Sequence, residues 1–178
     1  KSRIRMDDRD NKVLILGIGN DIQQDVGIPV RLTRDLKDLV PAEAFDFECL
    51  FIGGLEFLEY INGYRGVVFI DTIKTDQKAA GRVHVFTTGD YQETLHLSCQ
   101  HDVSFKMSLE MGRKLGFIIP EKILVIGIEI LEDLEFDATL SDDLKHRYNG
   151  IRTEVKNLVM NFSKSITIRS TDQNNYQK

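Results

Sequence analysis

Apolar residues along the chain follow two alternating patterns. Short, nearly unbroken runs occupy Val13 to Leu16, Phe45 to Ile52, Val67 to Ile70, Arg82 to Phe86 and Ile123 to Ile130. Such runs predict strands that are buried on one or both faces. Between them the spacing becomes helical. Ile28, Leu32 and Leu36 share one face; Leu55, Leu58 and Ile61 share another; Phe105, Leu109 and Leu115 lie close to a third. A last helix steps through Leu144, Tyr148, Ile151, Val155, Leu158 and Phe162. Strands that alternate with helices predict a mostly parallel sheet, because a parallel pair needs a crossover and the crossover is usually a helix. The gap from Ile73 to Arg82 has no helical period but holds Asp76, Gln77 and Gly81, which predicts a hairpin and one antiparallel strand. The expected fold is α/β: a three-layer αβα sandwich with a mostly parallel, twisted five-stranded sheet, one antiparallel strand, and helices on both faces. The pattern spans residues 12–166 as one domain. The polar stretches 1–11 and 167–178 are expected to be flexible tails.

Composition narrows the functional classes. A net charge of −5 without a basic block disfavours nucleic-acid binding. No apolar run approaches the roughly 20 residues that cross a bilayer, so no membrane partner is expected. The two cysteines, Cys49 and Cys99, cannot build a secreted disulfide framework. With no leader-like segment, the expectation is a cytoplasmic protein, and a monomer.

Three places carry candidate chemistry. Gly17-Ile-Gly19 follows a strand and precedes a helix, as in dinucleotide-binding folds, and Glu48 could imitate the ribose-binding acid. The third glycine of that fingerprint is replaced by Ile22, where a side chain obstructs close helix approach, and no P-loop lysine follows. Asp71 ends the run Val67-Val-Phe-Ile70, which puts a carboxylate at the crevice over the sheet's carboxyl edge, beside Asn20 and Asp25. A lone Asp there also reads as a turn former. Cys99-Gln-His101 stands just before a helix start, where a histidine tends to stay neutral and suits a metal or a polarised carbonyl. Cys99 itself reads as a small buried filler rather than a nucleophile. His84, His96 and His146 read as structural or solvated.

The ordered set resembles the hydrogenase maturation protease family. Gly17-Ile-Gly19-Asn20 with Asp25 and Gly27, Val67 to Asp71, Ser98 to Leu109 with His101, and Leu124-Val-Ile-Gly-Ile-Glu129 follow the order and spacing of that family's motifs. The resemblance implies a metal-dependent, aspartic-type endopeptidase that removes the C-terminal tail of a nickel-iron hydrogenase large-subunit precursor after nickel insertion. It implies that Asp71 and His101 recognise nickel carried by the substrate and serve catalysis, with no organic cofactor. The family's remaining metal ligand, an acidic residue, falls on Val26, which has no donor atom. Asp25, Asp21 or Glu56 would have to supply the missing oxygen. Asn20, Gly53 and Gly54 fall on substrate-binding positions, although Cys49-Leu-Phe-Ile-Gly-Gly54 departs from the family's Asp-Gly-Gly-Thr-type loop. A non-cleaving, substrate-binding relative acting in hydrogenase assembly and an unrelated α/β hydrolase remain as alternatives.

Overall fold

A computed structural model of the chain describes residues 9–51, 55–90, 94–97 and 104–173, with side chains up to Ile166. Five strands, β1 (Val13–Ile18), β2 (Phe45–Leu50), β3 (Gly66–Ile73), β4 (Val83–Thr87) and β5 (Lys122–Glu129), form one sheet in the order β2-β1-β3-β5-β4. All pairings are parallel except β4 with β5. Every residue of β1 and β3 is buried, whereas β2 and β4 at the sheet edges are largely half-buried or exposed. This is why the central strands read as continuous apolar runs.

Helices α1 (Ile28–Leu36), α2 (Phe57–Ile61), α3 (Phe105–Lys114) and α4 (Asp142–Gln173) cover the two faces. Under α1 and α4 lies a cluster that includes Ile15, Val26, Leu32, Val68, Ile126, Leu144 and Val155. Under α2 and α3 lies a second, with Leu14, Leu16, Phe57, Phe69, Phe105 and Val125. At its centre the rings of Phe57, Phe69 and Phe105 stand 5.3–5.5 Å apart, tying α2, β3 and α3 together. The expected sandwich and its antiparallel strand are therefore present.

Two apolar positions depart from expectation. Leu55 is 42% exposed because α2 begins only at Phe57, and Leu115 is 66% exposed because it caps α3 beyond the last inward turn. The inward slot is taken by Gly112, where an added Cβ would stand 2.8 Å from Leu58 Cδ2. The last helix also runs past residue 166 to Gln173, since a helix already nucleated by a packed face propagates through residues that need only tolerate it. The rest of the expected tails, residues 1–8 and 174–178, lies outside the described residues. Among the described residues no helix is long and apolar enough to cross a membrane.

Candidate functional site

In this strand order the chain leaves β1 toward β2 on one side and returns to β3 on the other. The crevice over the carboxyl ends of β1 and β3 is therefore the topological switch point, where open α/β sheets bind ligands. Pairing of β1 with β3 stops at Gly17 and Ile70, so from Asp71 onward β3 has no strand on its β1 side.

The glycine turn after β1 serves packing. A Cβ on Gly17 would lie 2.3 Å from Thr33 Oγ1, and one on Gly19 would lie 2.3 Å from the Val26 carbonyl oxygen. The first glycine lets α1 close on β1, and the second lets loop 20–26 fold back over it. No phosphate cradle is left open there. Asn20 is half-buried, and its Oδ1 accepts from the Ile22 N–H at 3.3 Å. Asp21 pairs with Arg34 at 2.8 Å. Asp25 is 4% exposed, and its Oδ1 accepts from the Ser141 N–H at 2.8 Å, which joins the β1 loop to the start of α4. Val26 is 3% exposed and belongs to the apolar cluster under α1 and α4.

Asp71 is wholly buried. Strand alternation puts its side chain on the face of Val67 and Phe69, above the aromatic cluster. Among the described residues its two oxygens take four hydrogen bonds. Oδ1 accepts from the Thr72 N–H and the His96 ring Nδ1, each at 2.7 Å, and Oδ2 from the N–H groups of His96 at 3.0 Å and Leu97 at 3.1 Å. The Leu95 N–H donates to the Thr72 carbonyl at 2.9 Å, on the side of β3 that β1 leaves vacant. Segment 94–97, a turn rather than a strand, thus lies against the flank of β3 at the switch point, and Asp71 holds it there. Three of these donors are backbone amides and the fourth is the imidazole Nδ1–H, since a carboxylate offers only lone pairs.

A second carboxylate–histidine pair stands nearby. Asp71, Gly127 and His84 occupy one register row across β3, β5 and β4. Glu129, two residues beyond Gly127, is wholly buried. It accepts from Thr75 Oγ1 at 2.6 Å, the Ala79 N–H at 2.9 Å and His84 Nε2 at 2.9 Å, which pins the β3–β4 hairpin to β5. Burial by itself pushes the Glu129 carboxyl up, but the bonds from Thr75, His84 and Ala79 outweigh it and hold the group below its ordinary 4.5. A carboxyl lowered in the fold contributes stability that is complete above the unfolded value, about pH 4.5, and lost as pH falls toward the folded one. Thermal melts between about pH 7 and about pH 3 should therefore show Glu129→Gln losing less stability below about pH 4.5 than the parent chain. Parallel curves would place the acid sensitivity elsewhere.

Among the described residues, His96 and His84, set aside on sequence grounds, are thus the imidazoles that the fold places on buried carboxylates; His146 is exposed on α4 as expected. Glu129 carried a legible signal, an ionisable residue closing an apolar strand run, as Asp71 does. His96 carried a weaker one, a polar residue alternating between Leu95 and Leu97. His101, Cys99, Gly53 and Gly54 lie outside the described residues. Among the described residues, no three His, Cys, Asp or Glu side chains come together to hold a metal ion. The Cys49 thiol is pushed up by burial, against the pull of Arg34 and Lys37, so it is not an activated nucleophile.

No protein-family model and no curated protein matches the chain. Solved structures do. The hydrogenase maturating endopeptidase HybD from E. coli aligns with a TM-score of 0.63 at 21% identity, over 81% of this chain and 89% of its own. The [NiFe] hydrogenase maturation protease HybD from Thermococcus kodakarensis aligns with a TM-score of 0.59 at 22% identity, over 83% and 98%. The hydrogenase 2 maturation peptidase from a Thaumarchaeota archaeon gives 0.57 at 21%, over 84% and 96%. The layered sheet with its switch point thus has the fold of the hydrogenase maturation endopeptidases.

Proposed function

We propose that this chain is an endopeptidase that removes the C-terminal tail of a nickel-iron hydrogenase large-subunit precursor once nickel is in place. The observation that carries this reading is Asp71: a wholly buried carboxylate at the switch point of that fold, bearing an imidazole on one oxygen. Asp71 and His101 are the pair assigned to the substrate's nickel. Ligation by Asp71 exchanges one of the hydrogen bonds it makes with the described residues, and the exchangeable donor is the His96 ring, because the other three are main-chain amides.

The same exchange releases an imidazole beside the metal. His96, 19% exposed at its side chain, then acts as general base: it takes a proton from the attacking water as the oxygen bonds to the scissile carbonyl carbon. It returns that proton to the departing amine as the C–N bond breaks. Hydrolysis in this scheme needs no serine or cysteine nucleophile.

The test is tail release, followed by mass spectrometry, from precursor with and without nickel. The parent chain should cleave only the nickel-loaded form. His96→Ala should slow cleavage by about 100-fold or more while still binding the nickel-loaded precursor, the usual loss on removing a general base. Cleavage at the parental rate would reduce His96 to a loop anchor. A second reading rests on Val26, whose buried apolar side chain supplies no third ligand: a relative that binds the precursor without cutting it. Retained binding with no tail release from the parent chain would favour it.

A further inference from the structure

Segment 131–139, which follows β5, combines two properties that seldom coincide on a loop. Leu131, Leu134 and Phe136 are 45%, 77% and 73% exposed. Glu132, Asp133, Glu135 and Asp137 alternate with them, and the segment contains no basic residue. Ile22, 60% exposed on the β1 loop, lies alongside, because Gln24 N–H donates to the Glu135 carbonyl at 3.1 Å. On the other flank Lys74, just past the end of β3, pairs with Asp133 at 3.0 Å. The ridge is therefore bonded to both elements that frame the switch point. Asp25 fixes its far end through the Ser141 N–H.

Exposed leucine and phenylalanine grouped at the rim of a cleft mark a binding surface, and aromatic side chains are typical anchors of one. The charges decide what fits. A second copy seated ridge to ridge would oppose acid to acid, and an anionic lipid surface would be repelled in the same way. We infer that segment 131–139 is the docking ridge for a part of the precursor that carries apolar side chains together with lysine or arginine. This assignment rests on the endopeptidase reading and adds the chemistry of the surface that brings the scissile bond to Asp71.

Nickel-loaded large-subunit precursor is the probe, with affinity and cleavage kinetics measured at about 50 mM and about 500 mM salt. The double variant Leu134→Ser/Phe136→Ser should raise KM about tenfold or more with kcat retained, the pattern of lost ground-state binding. Its melting temperature should match the parent's, because both side chains are mostly solvated. Glu135→Lys should also weaken binding and flatten the salt dependence seen in the parent chain. Parental KM and salt dependence in all variants, with the parent cleaving normally, would overturn the ridge and leave the endopeptidase standing. A parent chain that neither binds nor cleaves the precursor would overturn the endopeptidase reading, and the ridge's partner with it.

Discussion

Replacing Asp71 by alanine is expected to cost about 3–5 kcal/mol of stability, the range for stripping a buried charged group of its role as partner. The substitution leaves the amides of Thr72, His96 and Leu97 and the His96 ring N–H without their acceptor around a position that is itself wholly buried. Each abandoned buried donor has its own desolvation cost. Segment 94–97 is joined to β3 by these bonds and by Leu95 N–H to the Thr72 carbonyl, so the loss should be local first and global second. Hydrogen exchange at Leu97 should accelerate more than at Phe69, which lies in the aromatic cluster below. Urea denaturation gives the magnitude, and tail release should disappear together with nickel-dependent binding. Stability within about 1 kcal/mol of the parent chain would mean that the segment is held by something other than Asp71.

Val26→Glu is the second large expected effect. The resemblance drawn from the sequence implies a carboxylate ligand at this position, so a simple restoration of the motif invites a gain in nickel affinity. The packing argues for a different outcome. Val26 is 3% exposed in the cluster with Ile28, Leu140 and Leu144, while Asp71 stands on the opposite sheet face above Phe69. A glutamate there would carry its charge into apolar surroundings, at a cost of about 3 kcal/mol or more at neutral pH. Burial raises the carboxyl pKa in the folded chain above its unfolded value. The penalty therefore grows as pH rises from the unfolded value to the folded one, and shrinks in acid, where both states are protonated. Urea titrations at about pH 7.5 and about pH 4.5 should show the variant far weaker at the higher pH and closer to parental at the lower. Parental stability at both would mean that position 26 opens onto a solvated cleft and can join a ligand set.

The two variants probe different kinds of information. Asp71 was recognisable because it closes a run of buried β-strand residues, a local pattern, although β3 continues past it to Ile73. The partner that matters most, His96, is 25 residues away, and only the way segment 94–97 crosses the vacant flank of β3 brings them together. Glu129 and His84 meet across 45 residues, and Asp25 and Ser141 across 116. None of these pairings leaves a mark in periodicity or spacing. The glycines behave alike. Gly17 and Gly19 look like a nucleotide cradle in one dimension, and in three they give room to Thr33 and to the Val26 carbonyl.

By itself, the order of apolar and polar residues determined the strands, the helices, the antiparallel hairpin and the layered sheet. Each element must bury one face, and that requirement is written in its own short stretch of chain. The tertiary structure alone decided which imidazole rests on which carboxylate, that position 26 faces the core, and that an acidic, apolar ridge borders the crevice. Those outcomes depend on how loops from distant strands settle over one edge of the sheet, a packing problem shared by all of them and encoded locally in none.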